Sequence, residues 1–330
     1  MSRPHHLPHP FFHFGNPFRM ISPKGSNLSK RLLLLLNNFE ETLARRLRKL
    51  NPKDKDGDEK WIDAYLDISV NLLNICNAFS SEISRLNQGH LLLQCVLHNL
   101  DSSCSKQFIK ARSSLDAWRQ HISSKNPRVE NCSTILNKLV ESLDLPKVKN
   151  SAKAYQKKRK KKKNSAKGKV LMRAMYGVKV ETVFTCSVFA SAFSGFARKL
   201  FDLNVDDKYM WAQACNGLQT SINSEIRNLY SSGRFIVLKE LEAVDTSVKK
   251  LYPMIQDGVD PIEVEAFQNS ISDLARRVEG LSQGLVDLLT KEVDSFFHLV
   301  LTGHDALLCN VSKSGTVSDP KLGCKVVERV

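Results

Sequence analysis

From about residue 28 to residue 308, apolar side chains recur at every third or fourth position. That spacing commits a chain to amphipathic helices and leaves little room for anything else. Leu32, Leu36, Phe39, Leu43, Leu47 and Leu50 form a first stripe, stopped by Pro52 and the polar stretch Asp54–Asp58. Trp61, Tyr65, Ile68, Leu72, Ile75, Phe79, Ile83 and Leu86 form a second, with Asn87-Gln88-Gly89 expected to interrupt it before Leu91–Leu100. Further stripes run from Phe108 to Ile122, from Val129 to Leu143, from Trp211 to Leu229 and from Val237 to Leu251, the last expected to end at Pro253. The strictest pattern is Phe267, Ile271, Leu274, Val278, Leu281, Leu285 and Leu288, which repeats as three heptads and is read as a stripe that faces a partner helix. Phe296, Phe297 and Leu301 prolong it to about Leu308. No run of alternating β-branched residues lies between turn signals, so no sheet is expected. The predicted fold is all-α, an elongated antiparallel helical bundle.

The chain divides accordingly. Residues 1–27, rich in His, Pro, Phe and Ser, form a disordered arm; the first acidic residue of the chain is Glu40. Such an acid-free start is also compatible with a transit segment, although it is Pro-rich and weakly amphipathic. Residues 28–146 are N-terminal helices, 147–169 a basic linker, 170–310 C-terminal helices packed with the first set as one bundle, and 311–330 a flexible tail. Pro4, Pro8, Pro10 and Pro17 break any secretory core, so the expected location is inside the cell.

Charge narrows the partners. Of the formal net charge of +15, Lys157, Lys158, Arg159, Lys160, Lys161, Lys162 and Lys163 supply seven adjacent units and Lys167 an eighth, so just over half of the excess is local. The run reads as a solvated loop first, a nuclear-import or nucleic-acid patch second, and a contact to an anionic leaflet third. No aromatic-interleaved basic stripe accompanies it, so base readout is not expected. Thr182–Ala197 carries no charge, yet sixteen residues rise about 24 Å, short of a hydrocarbon core of about 30 Å. A buried core helix is its first reading, a membrane-inserted or hairpin segment its second, and an interfacial helix its third.

Reactive chemistry is hard to find. The eight Cys include no Cys-x-x-Cys pair, so no metal or redox site is expected. His5, His6, His9 and His13 are interleaved with Pro, which suits a tail better than a ligand set. His90, Cys95 and His98 share a helix without a third orienting group. Asp54-Lys55-Asp56-Gly57-Asp58 begins like a calcium loop but has Gly at the wrong position. Phosphate-binding glycine motifs, His-Glu-x-x-His and Gly-x-Ser-x-Gly are all missing. The expectation is a non-enzymatic protein with no cofactor.

Several longer words resemble the plant BYPASS family: Phe11-Phe12-His13-Phe14-Gly15-Asn16-Pro17-Phe18, Tyr65-Leu66-Asp67-Ile68-Ser69-Val70, Cys76–Glu82 with Arg85–His90, Ser124–Arg128, Leu145-Pro146-Lys147, Met172–Val178 and Val237–Glu242. They span nearly the whole chain and are close to ROH-type relatives too. Two departures stand out. Family members carry an additional helical stretch before the position of Trp61, and here only Pro52–Lys60 stands there. Conversely, Asn150-Ser151-Ala152-Lys153 recurs as Asn164-Ser165-Ala166-Lys167 around the lysine run, a short duplication flanking an insert. The resemblance implies a developmental regulator that restrains a root-derived mobile compound able to arrest shoot and leaf growth. It implies association with plastids or membranes, with a weak membrane segment at 182–197. The charge run leaves cytosol or nucleus as the alternative. ROH-type relatives imply protein partners of the exocyst-type tethering kind, met through helix faces. The alternative is a small-molecule binder or enzyme acting on the signal's precursor in an apolar pocket between helices. The resemblance supplies no catalytic residue.

Overall fold

The computed structural model describes residues 59–101, 105–141, 166–195, 197–232, 238–256 and 264–315. The Leu32–Leu50 stripe, the His-rich arm, the Asp54–Asp58 stretch and the Lys157–Lys163 run lie outside them. Eight α-helices are described: α1 Glu59–Leu100, α2 Ser105–Ser123, α3 Pro127–Glu141, α4 Ala166–Ser194, α5 Ala212–Ser231, α6 Lys239–Gln256, α7 Val264–Leu281 and α8 Asp287–Gly315. A 3-10 turn, Ala197–Lys199, follows α4, and a π turn, Ser282–Val286, joins α7 to α8. There is no strand among the described residues, and the all-α bundle expected from periodicity is what forms.

At 42 residues α1 is the spine, about 63 Å long, with α2, α3, α4, α7 and α8 packed along it. It runs unbroken through Asn87-Gln88-Gly89, contrary to the expected interruption. A helical Gly costs about 1 kcal/mol against Ala. Here Leu86, His90 and Leu93, all buried, outweigh it. Gly89 lies beneath α2, where an added Cβ would stand 3.5 Å from His121 and Ile122. Nor does Pro253 end α6, which continues to Gln256. It sits in the final turn and forfeits one i→i−4 bond, but the buried Leu251 and Ile255 on either side hold the helix to the core. At its N-terminus α4 begins inside the span read as linker, and at the other end of the chain α8 extends to Gly315.

One core unites both halves of the chain, from Tyr65 to Leu307. Polar clamps fix the crossings. Glu82, 1% exposed, accepts from Arg85 Nε and Nη2 at 2.6–3.1 Å, while Arg85 Nη1 donates to the His121 carbonyl at 2.6 Å. His121 Nε2 lies 2.7 Å from the Arg85 carbonyl, which only accepts, so that nitrogen carries a proton. These bonds join α1 to the last turn of α2. Ser69 Oγ lies 2.6 Å from His304 Nδ1, joining α1 to α8. Asp273 of α7 accepts from Ser247 of α6 at 2.7 Å and pairs with Arg276 and Arg277. Tyr252 of α6 donates to Asp116 of α2 at 2.7 Å, under the Arg119 guanidinium.

Candidate functional site

Between α4 and α5 the chain runs in an extended segment, and α5 holds it there. The inward face of α5 is apolar at Ala212, Cys215, Leu218, Ile222 and Ile226, yet Gln219 and Asn223 are buried on it as well. Asn223 Nδ2 donates to the Phe201 carbonyl at 3.0 Å and to Asp202 Oδ1 at 2.8 Å. Gln219 Oε1 accepts the Leu203 N–H at 2.9 Å, and Asn216 both accepts from and donates to the Val205 backbone at 3.1 Å. Contacts at 201, 203 and 205 follow the period of extended chain, and those at 223, 219 and 216 follow helical turns. The segment therefore runs antiparallel to α5. Arg227 closes the series on Asp202 at 2.6 Å, holding that carboxyl below its usual range. Gly195, with φ 73°, makes the turn out of α4 that starts the segment.

What this strap presents is a platform of rings. The Tyr209 N–H donates to the Asp206 carbonyl and the Ala212 N–H to the Tyr209 carbonyl, a tight turn that leads into α5. Tyr176, on α4, stacks on Tyr209 with centroids 5.1 Å apart, and Trp211 lies 5.5 Å from Tyr209 and 6.2 Å from Tyr176. Rings this close touch one another and leave no slot for a cation between them. Burial is the main cause, with the neighbouring Tyr209 next, of the upward push on the Tyr176 phenol. Lys208 lies over the Tyr209 ring at 5.2 Å and pairs with Asp206 at 2.5 Å. Met210 projects from the middle, 86% exposed. Tyr, Trp and Met on a fixed scaffold match the composition of protein-interface centres. Sequence reasoning placed Trp211 in a helical stripe, noted Tyr176 only within Met172–Val178, and passed over Tyr209 and Met210; the alternation of Asn and Gln with the apolar face of α5 was the available signal.

The residues singled out from sequence fall elsewhere. Phe267, Leu274, Val278, Leu281 and Leu285 of the heptad stripe are buried in the chain's own core, with Ile271 packed against it. They do not face an external partner. Leu288 leaves the stripe altogether at 37% exposure, and Leu289 takes the inward place at 1%. The cause is the π turn: the Asp287 N–H bonds back to the Ser282 carbonyl, five residues earlier, which adds a residue to the turn and rotates α8 relative to α7. The charge-free segment is core as well. Thirteen consecutive residues, 180–192, are buried, and among the described residues no helix is long and apolar enough to cross a membrane. His90 is buried while Cys95 and His98 are exposed, so no Cys–His pair assembles. Burial pushes the thiols of Cys76 and Cys215 up to about 12 and that of Cys132 to about 11, which makes them poor nucleophiles. No group of three His, Cys, Asp or Glu is arranged for a metal among the described residues. A shallow, open hollow on α5 is lined by Ser221, Ser224, Glu225, Asn228, Leu229 and Ser232.

The model of the family described as Protein BPS1 matches residues 33–289. The chain belongs to the BPS1 family. Its similarity to "Protein BPS1, chloroplastic" of Arabidopsis thaliana is 47% identity over 351 aligned positions, covering 96% of this chain and 94% of that one. "UPF0496 protein 4" of Oryza sativa, in both subspecies indica and japonica, is 37% identical over 317 positions, covering 84% of this chain and 66% of the rice protein. No solved structure matches. The BPS1 span takes in α1 through the start of α8, and with them the strap and the ring platform.

Proposed function

We propose that this chain is a non-enzymatic plant developmental regulator of the BYPASS type, working by protein contact in the pathway that restrains a root-derived, growth-arresting signal. The single observation behind this reading is the 47% identity to the Arabidopsis protein over nearly the full length of both chains. What supports contact rather than catalysis is the kind of surface the fold offers: a braced apolar platform of Tyr176, Tyr209, Met210 and Trp211. Plastid location is part of the proposal, from the word chloroplastic in that relative's name. Tethering subunits of the exocyst type are the candidate partners by analogy with ROH-type relatives.

The test is rescue of a plant lacking its BPS1-family gene, scored by leaf growth and by grafting onto normal roots. The wild-type chain restores shoot growth, while Met210→Ser with Trp211→Ala fails to, at equal protein level. Equal rescue by both removes the platform from the reading, and failure of the wild-type chain removes the developmental role. A fluorescent fusion that stays outside plastids refutes the location.

A further inference from the structure

The strap that α5 holds has two backbone edges, and α5 uses one of them. Its side chains take peptide groups of Phe201, Leu203 and Val205, alternate residues of the chain. In an extended chain the residues between them, Asp202 and Asn204, turn their N–H and C=O groups the opposite way. Asn223 and Arg227 bind the Asp202 carboxylate, but among the described residues nothing bonds to these four peptide groups. Asp202 and Asn204 are both exposed, whereas Val205 is buried and Phe201 and Leu203 pack on the core.

A held, extended segment with a row of open peptide groups is a template for a further strand. Leu200–Val205 carries neither Pro nor Lys, two of the devices that guard such an edge. The bonds to α5 already fix the strap, so a strand that joins it orders little new chain. The same edge of a second copy fits it. Set antiparallel about a twofold axis beside Leu203, Asp202 of each copy faces Asn204 of the other. Each such pair exchanges two N–H···O=C bonds, so every open group of both straps is satisfied. The register sets Asp202 against an amide, avoiding the like-charge opposition that destabilises strand pairs. It also turns the basic start of one strap, at exposed Arg198, towards the acidic end of the other, at exposed Asp206 and Asp207.

We propose that the outer edge of the strap, Asp202 to Asn204, pairs antiparallel with the same edge of a second copy of this chain to form a twofold dimer. So short an interface makes a weak dimer whose population depends on concentration. The proposal stands apart from the developmental reading: rescue tests that role through the ring platform, and purified chain tests this edge. Sedimentation of the full chain over a range of concentrations reads the dimer, and amide exchange reads the edge. The Leu203 and Val205 N–H groups, bonded to Gln219 and Asn216, exchange slowly at every concentration. Those of Asp202 and Asn204 exchange fast in dilute solution and slow down as the dimer fills. Asn204→Pro removes an outward N–H from an extended chain, where Pro is tolerated. It raises the dissociation constant about tenfold or more, as the loss of two backbone bonds should. Slow exchange at Leu203 in that variant shows the strap still lying on α5, and Asn204→Ala, which keeps the N–H, dimerises like the wild type. A chain that stays monomeric at every concentration overturns the proposal. So does a dimer in which Asp202 and Asn204 still exchange fast, since its interface lies elsewhere. A monomer whose Asp202 and Asn204 slow only on adding a peptide of residues 200–206 would give the edge to a foreign strand and overturn self-pairing.

Discussion

Leu288→Ala and Leu289→Ala are neighbouring substitutions with identical chemistry, and the π turn makes opposite predictions for them from the heptad pattern. Each removes three carbons, worth about 2.4 kcal/mol at about 0.8 kcal/mol per buried CH₂. Leu289 is 1% exposed, so it forfeits that whole amount and leaves a cavity inside the contact with α1. The total comes to about 3 kcal/mol or more. Leu288 is 37% exposed, so under two-thirds of its transfer energy is at stake and no closed cavity forms. Its cost is at most about 1.5 kcal/mol. Both changes gain the same small helix propensity, which cancels. Urea unfolding followed by circular dichroism, with equal slopes as the condition for comparison, measures the difference. A Leu288→Ala chain as destabilised as Leu289→Ala would place the inward face on the heptad register and refute the rotation at 282–286.

Under native conditions a soluble alkylating reagent modifies Cys95 and Cys309 within minutes and spares Cys76, Cys132, Cys186 and Cys215, mapped by peptide mass; equal labelling would contradict their burial. From neutral pH stability stays level to about pH 9 and falls between pH 9 and 12. The Cys76, Cys132 and Cys215 thiols and the Tyr230 phenol have folded pKa values of about 11 to 12, raised by burial above 9 or 10, so the folded state holds protons that the unfolded state releases. Lys179 and Lys199, lowered by burial, oppose this over part of the window, and denaturation midpoints that rise with pH would show that they win. Asn216→Ala strands both backbone groups of Val205 and loosens 201–211 by about 1–3 kcal/mol in hydrogen exchange. Thr220→Ala, on the exposed side of the same helix, leaves exchange there unchanged. Carbonate washing releases the chain from membranes, and retention in the pellet would mean that α4 is inserted.

Much of the helix inventory was legible because stripes such as Trp61–Leu86 have a single register that buries them. The sequence could not choose where two registers were equally apolar. Leu285 and Val286, then Leu288 and Leu289, offer the same chemistry on faces about 100° apart, so only packing against α1 decides between them. The heptad stripe illustrates a second limit. Periodicity reveals that a face is covered, not whether the cover is the same chain or another. The ring platform was illegible for a different reason: Tyr176 and Tyr209 meet through a strap with no period of its own, held by α5 side chains.

The charge-free run in α4 shows how the same composition answers to two solvents. A helix apolar on all sides is stable in lipid or in the middle of a protein. Its polar groups separate the two. Thr182, Thr185, Ser187 and Ser191 are buried beside Phe184, Val188 and Phe189. Ser187 donates to its own helix at the Phe184 carbonyl, 2.7 Å, a bond that would serve in either solvent. Tyr230 of α5, however, donates to the Ser191 carbonyl at 2.7 Å, its half-buried ring packed against the core. Phe79 of α1 meets Phe189 and Phe193 at 5.8 and 5.6 Å. Moving α4 into a bilayer would strip these neighbours and leave the faces of α1, α3 and α5 uncovered. At about 25 cal/mol per Å² of apolar surface, uncovering them would oppose the gain from lipid. The fold therefore commits α4 to its core.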